Sequence, residues 1–215
     1  MTVLEVIGLE KEYTNRSGGS TVRALRGVNF AVDAGEYVAI MGESGSGKTT
    51  LLNILASLDE PTGGRVLLDG KDLADVSERE LAAFRRDNLG FVFQDFNLLD
   101  TFSVRDNILL PLVLGGVSLD EMERRLEAVA DEPTGSLDSR SSSELLRVFG
   151  DLNARGQTIL MVTHSVDAAS HAGRILFIRD GVLFHQIYRG DSTNEQLYQK
   201  ISDTLTMLRS GGDAE

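Results

Sequence analysis

Residues 42–49 read Gly-Glu-Ser-Gly-Ser-Gly-Lys-Thr, a G-x-x-x-x-G-K-[ST] arrangement. The chemistry this spacing suits is the holding of phosphate. Glycines at Gly42, Gly45 and Gly47 let a loop turn tightly and bring its N–H groups close to phosphate oxygens. A helix starting at the end of such a loop adds its own N-terminus to an anion site. Lys48 is placed to reach the outer phosphates, and the Thr49 hydroxyl to ligate Mg²⁺. The candidate phosphate-binding set is therefore Gly42, Ser44, Gly45, Ser46, Gly47, Lys48, Thr49 and Thr50.

A second chemical segment is Asp131-Glu132-Pro133-Thr134-Gly135-Ser136-Leu137-Asp138. An Asp beside a phosphate loop commonly helps hold Mg²⁺. A Glu next to it can orient or deprotonate an attacking water. Thr163-His164 follows the apolar run 158–162, so His164 is expected to emerge at the C-terminal end of a strand. That is the edge at which open α/β sheets bind ligands.

These residues need a scaffold, and the pattern supplies one. Val3 to Ile7, Val28 to Val32 and Tyr37 to Met41 read as strands, rich in apolar and β-branched residues. A helix is predicted from Lys48 to Ala56, directly after the glycine loop. Arg65 to Leu68 reads as a strand ending in an Asp69-Gly70 turn. Ser77 opens a helix to Arg86 through a capping box with Glu80. Leu89 to Phe93 is a further strand, and 103–130 is helical in pattern. Ser141 to Ala154 follows as a helix, and Thr158 to Val162 as a continuous apolar strand, expected to be buried on both faces of a parallel sheet. Arg174 to Ile178 and Val182 to Tyr188 flank the turn Arg179-Asp180-Gly181 and read as a hairpin. A closing helix capped at Ser192 carries the stripe Leu197, Ile201, Leu205 and Leu208, read as core packing. Strands alternating with helices give the fold class α/β.

Composition sets the bounds. The 215 residues suffice for one well-packed domain, with 41% hydrophobic and 25% charged residues. A net charge of -12 argues against a general nucleic-acid binder. With no cysteine there is no thiolate metal site, thiol catalysis or disulfide. The opening MTVLEVIGLEKEYTN does not read as a signal peptide. The most apolar segment, Ile108 to Val117, is shorter than the roughly 20 residues that span a bilayer.

The segments GESGSGKTTLLNILASLDEPTGGRV, FVFQDFNLL, DEPTGSLD and ILMVTH together resemble the Walker A motif, Q-loop, Walker B end with D-loop, and H-loop of ABC ATPases. The resemblance covers nearly the whole chain. It implies a P-loop NTPase fold of the ABC ATPase type across 1–215, with 94–130 a remnant of the helical subdomain and 193–215 the C-terminal helix and tail. It also implies ATP and Mg²⁺ as cofactors. By the same resemblance Tyr13 stacks on adenine, where a core aromatic is the plainer reading of that residue alone. Gln94 approaches Mg²⁺ and the attacking water. Asp131 is the Mg²⁺-associated carboxylate, Glu132 the catalytic base, His164 a γ-phosphate contact, and Asp138 a residue of the dimer interface. His171 and His185 match nothing in the pattern, and the pairs Arg85-Arg86 and Arg124-Arg125 read as solvated helix faces.

The implied partners are an integral membrane permease subunit and a second ATP-binding subunit in a head-to-tail dimer, with no nucleic acid. The implied place is cytoplasmic, peripheral on the inner face of the cell membrane. FIRDGVLFHQIYRGDSTNEQLYQKISDTLTML further resembles the bacitracin-type, antimicrobial-peptide-resistance group. A soluble ABC protein of translation or DNA repair is the competing class, and lacks support in a tandem cassette or coiled-coil insert.

One family element has no counterpart. No Leu-Ser-Gly-Gly-Gln-type signature lies between Gln94 and Asp131; Ser17-Gly18-Gly19 and Ser210-Gly211-Gly212 stand in the wrong places. Residues 126–130, Leu-Glu-Ala-Val-Ala, suit a helix end better than the buried strand that normally carries a Walker B Asp. The expectations are a truncated helical subdomain, a missing sheet strand, and turnover that suffers because phosphoryl transfer depends on positioning and electrostatics. An internally deleted nucleotide-binding remnant is the alternative these features raise.

Overall fold

The computed structural model describes residues 1–14, 20–77, 79–82 and 139–210. The chain divides into two compact units, Met1–Leu81 with Ser143–Glu215, and Ala82–Ser142. The second unit lies almost wholly outside the described residues, as do the expected strand Leu89 to Phe93, the helical stretch 103–130 and the segment 126–130.

Two sheets build the first unit. The antiparallel one has the order β2-β1-β4-β5, from β1 (Thr2–Thr14), β2 (Thr21–Asp33), β4 (Gly63–Leu68) and the two-residue β5 (Lys71–Asp72). The other has the order β6-β3-β7-β8. Here β3 (Tyr37–Met41) runs parallel to both β6 (Ile159–Thr163) and β7 (Arg174–Arg179), and β8 (Val182–Tyr188) returns antiparallel to β7. The helices are α1 (Lys48–Leu55), α2 (Ser139–Ala154), α3 (Val166–Ala169) and α4 (Asn194–Ser210).

Period-2 alternation assigns each residue of the central strands to one of two cores. Val38 and Ile40 of β3 join Leu176 and Ile178 of β7 in packing against α1 and the antiparallel sheet. Tyr37, Ala39 and Met41 join Ile175 and Phe177 in packing against Ala169, Ala172 and the α4 residues Leu197 and Ile201. A strand buried on both faces must be apolar throughout, which is why β3 and β7 read as continuous runs. The α4 stripe is core packing as expected for Leu197, Ile201 and Leu205; the Leu208 side chain lies outside the described residues.

Three expectations change. Strand β6 was expected to be buried on both faces, but all five of its residues are half-buried. Among the described residues it pairs only with β3. The closing helix is capped one residue later than Ser192. Thr193 Oγ1 accepts from the Gln196 N–H at 3.3 Å, and Gln196 Oε1 accepts from the Thr193 N–H at 3.0 Å. This reciprocal pair is a capping box with Gln196 as its second member. Strands β1 and β2 are 13 residues each, far longer than Val3 to Ile7 and Val28 to Val32. Mutual pairing carries them through the polar stretches Glu10 to Thr14 and Thr21 to Arg26. The Ser77 capping box is present, with the Ser77 N–H donating to Glu80 Oε2 at 3.1 Å and the Glu80 N–H to Ser77 Oγ at 3.4 Å.

Candidate functional site

The glycine loop leaves the C-terminal end of β3 and feeds α1. Gly42 cannot be replaced without movement: a Cβ there would stand 2.3 Å from the Ile178 carbonyl oxygen and 2.5 Å from Ser46 Oγ. Gly47 has φ 101°, and its Cβ would meet the Ala24 carbonyl oxygen at 2.5 Å. The loop closes on a Ser46 N–H bond to the Glu43 carbonyl at 3.2 Å and is braced from below, where the Gly181 N–H donates to the Ser46 carbonyl at 3.1 Å. The Leu51 N–H to Gly47 carbonyl bond, 2.9 Å, begins α1.

Helix α1 has no side-chain cap and no acidic residue in its first turn. Its leading N–H groups have no intrahelical acceptor, and the positive end of its dipole faces the loop. Lys48 folds over the same loop, donating to the carbonyls of Gly42 at 2.8 Å and Glu43 at 2.6 Å and approaching Ser46 Oγ at 3.4 Å. Burial pushes its ammonium below the usual lysine range. An uncapped helix end, a glycine-lined turn and a half-buried cation together suit a polyanion. The Thr49 side chain, in the first turn and exposed, offers the hard oxygen that Mg²⁺ prefers.

Register puts the histidine beside this loop. Met41 pairs with Thr163 across β3 and β6, so Gly42 and His164 leave the same sheet edge side by side. His164 is exposed. Ser165, next along, caps α3 by accepting from the Ala168 N–H at 3.2 Å.

Tyr13 stands near the end of β1, opposite Val22, and is 43% exposed, so it is not a core aromatic. Its hydroxyl donates to Asp59 Oδ2 at 2.7 Å. Burial raises its pKa, as does the Asp59 carboxylate, while hydrogen bonding with the Thr50 side chain opposes the rise. Gln94, Asp131, Glu132 and Asp138 lie outside the described residues. The structure therefore brings together the loop, Lys48, Thr49, Thr50 and His164 along one sheet edge, while the Tyr13 hydroxyl is held by Asp59, four residues past the end of α1. Among the described residues no group of three His, Asp or Glu side chains forms a metal cluster.

A family profile described as ABC transporter matches residues 25–166. The chain belongs to the ABC transporter family. This ABC chain is 44% identical, over 254 aligned residues, to the uncharacterized ABC transporter ATP-binding protein YvcR of Bacillus subtilis strain 168, covering 99% of this chain and 96% of that protein. It is 36% identical to the bacitracin export ATP-binding protein BceA of Halalkalibacterium halodurans, covering 97% of each. Its fold matches the dimeric post-hydrolysis structure of the ATP-binding cassette MJ0796 bound to ADP and Pi, with a TM-score of 0.78 and 29% identity over 86% of this chain and 98% of that one. The α/β architecture is thus the P-loop NTPase fold of the ABC ATPase type.

Sequence reasoning missed the support of Tyr13. Lys11 belongs to no motif quoted above, and Asp59 lies in the quoted segment 42–66 without a role assigned to it; the one available signal was that Lys11 and Tyr13, two apart on a strand, share a face.

Proposed function

We propose that this chain is the ATP-binding subunit of an ABC exporter, coupling ATP binding and hydrolysis to a membrane permease that moves or dislodges an antimicrobial peptide. The observation that carries the reading is the phosphate loop: an uncapped α1 entered through Gly42 and Gly47, with Lys48 held over it. The likeness to a bacitracin export ATP-binding protein supports the substrate class.

The roles are those that the resemblance to ABC ATPases implies. The N–H groups of the loop and of the first turn of α1 receive the phosphates of ATP. Lys48 exchanges the carbonyls of Gly42 and Glu43 for the outer phosphates. Thr49, with Gln94 and Asp131, would hold Mg²⁺, which would supply neutralisation of phosphate charge. Glu132 takes the proton of the attacking water. His164, level with Gly42 on the sheet edge, contacts the γ-phosphate, and Tyr13 stacks on adenine. Asp138 crosses to a second subunit in a head-to-tail dimer, an arrangement supported by the dimeric state of the solved cassette. The proposed place is the inner face of the membrane, through a separate permease; no described helix is long and apolar enough to cross a membrane.

A second reading is favoured by one observation. The alignment with YvcR runs over 254 residues although this chain has 215, so dozens of aligned positions have no residue here. No signature motif stands between Gln94 and Asp131. On this reading the chain binds nucleotide but two copies cannot complete a hydrolytic site, because neither closes a signature over the other's ATP.

Both readings need Lys48 for nucleotide, and they part on turnover. Purified protein should bind Mg-ATP, and Lys48→Ala should abolish binding; binding that survives this substitution rejects the site. Steady phosphate release from the pure chain rejects the second reading, and none at saturating ATP rejects autonomous hydrolysis. Co-purification with ribosomes or DNA in place of a membrane permease rejects the transporter assignment.

A further inference from the structure

Beyond the roles that the resemblance implies, we infer that Lys11 and Asp59 are positioning residues that fix the Tyr13 ring as a platform for the nucleotide base. The inference rests on the reading of Tyr13 as the base-stacking residue. The geometry is a closed triad. Asp59 Oδ2 accepts from the Tyr13 hydroxyl at 2.7 Å, and Asp59 Oδ1 accepts from Lys11 Nζ at 2.5 Å. Lys11 Nζ also donates to the Glu60 carbonyl at 2.6 Å and stands 4.9 Å from the Tyr13 ring centroid.

Each contact constrains the ring differently. The hydroxyl bond fixes the far end of the side chain, and the cation held beside the ring limits its rotation. Lys11 is only 8% exposed, so its charge needs the Asp59 carboxylate and cannot readily move elsewhere. Asp59 is itself held: its N–H donates to the Asn53 carbonyl at 3.3 Å, and its Oδ1 accepts from the Glu60 N–H at 2.8 Å. It sits four residues past the end of α1, the helix whose first turn forms the phosphate site. One short helix thus carries the phosphate cradle at its start and the anchor of the aromatic platform just beyond its end. An exposed tyrosine on a strand end otherwise samples several rotamers, and a base stacking on it would have to order the ring at binding.

The triad acts on base recognition and leaves phosphate recognition to the loop. The test measures two dissociation constants by calorimetry on the full chain, for Mg-ATP and for Mg-tripolyphosphate, which lacks a base. Tyr13→Ala should weaken ATP and leave tripolyphosphate within about twofold. Asp59→Ala and Tyr13→Phe, which keeps the ring but frees it from Asp59, should each weaken ATP about threefold to tenfold with tripolyphosphate unchanged. Tyr13→Phe alters one hydroxyl on a half-exposed ring, so it decides the matter even if Asp59→Ala does not fold. If Tyr13→Ala weakens ATP but Tyr13→Phe and Asp59→Ala do not, positioning is rejected and the stacking role stands. Equal weakening of both ligands by Asp59→Ala also rejects positioning, since that is a general loss of structure. If Tyr13→Ala changes neither ligand, the stacking role falls and positioning with it.

Discussion

Gly42 shows how little freedom single residues of the cradle have. Its missing Cβ is what lets the loop lie against the Ile178 carbonyl, so Gly42→Ala must move either the loop or the end of β7. The expected cost is about 1–3 kcal/mol of stability, read from urea unfolding, together with loss of ATP binding. Lys48→Ala should behave differently. Its partners are loop carbonyls at a partly open site, so stability should change by less than about 1 kcal/mol while ATP affinity falls at least about a hundredfold. Asp59 gives a pH signature. Burial works against its ionisation, but bonds from Lys11, Tyr13 and the Glu60 N–H outweigh it, and its pKa lies below the ordinary 3.8. A carboxylate depressed in the folded state contributes stability that is full above its unfolded pKa and is lost as pH falls through the folded value. Acid unfolding curves of the wild type and Asp59→Asn should therefore converge below pH 3.8 and separate above it.

Elements were legible to the extent that each was decided locally. The strand β3 and the start of α1 fall where the apolar run and the glycine loop put them, because a strand buried on both faces and a loop with a forced conformation leave few alternatives. The hairpin of β7 and β8 was readable for the same reason, with Asp180 and Gly181 both at positive φ in its turn. What failed was decided by partners far away in sequence. The polar halves of β1 and β2 are strands because they pair with each other, and no periodicity in Glu10 to Thr14 announces that. The half-burial of β6 is likewise not announced by its own apolar run. Of the site, the loop, Lys48, Thr49 and His164 were visible as motif. The use of Asp59 as an anchor was not: the residue lies in the quoted segment 42–66, but it sits 48 residues from Lys11 and only the fold brings them together. Helix α4 offers the test of an element: Ile201 is fully buried against Phe177 and Ala169, and Ile201→Ala should cost about 2–5 kcal/mol in chemical denaturation. Its capping box should matter less, with Thr193→Ala costing about 0.5–2 kcal/mol.

The molecule as a whole poses a question of completeness that mass spectrometry answers. An intact mass near 23.4 kDa goes with the nucleotide-binding remnant, and with ATP binding without sustained phosphate release; a mass several kilodaltons higher goes with a signature-bearing segment and with hydrolysis. Mg-ATP at a hundred times its dissociation constant should still stabilise the fold by about 2.7 kcal/mol, visible as a raised melting temperature. The same first unit contains a point where three stretches of backbone meet. The Ala24 carbonyl of β2 lies against both Gly47 of the phosphate loop and Gly181 of the β7–β8 turn, the Gly181 N–H donates to the Ser46 carbonyl, and the Arg26 N–H donates to the Gly181 carbonyl at 2.8 Å. Opening of the loop therefore unlocks an amide proton that belongs to another element. Hydrogen–deuterium exchange at Gly181 would time the breathing of the phosphate loop from outside it, and bound nucleotide would slow that clock.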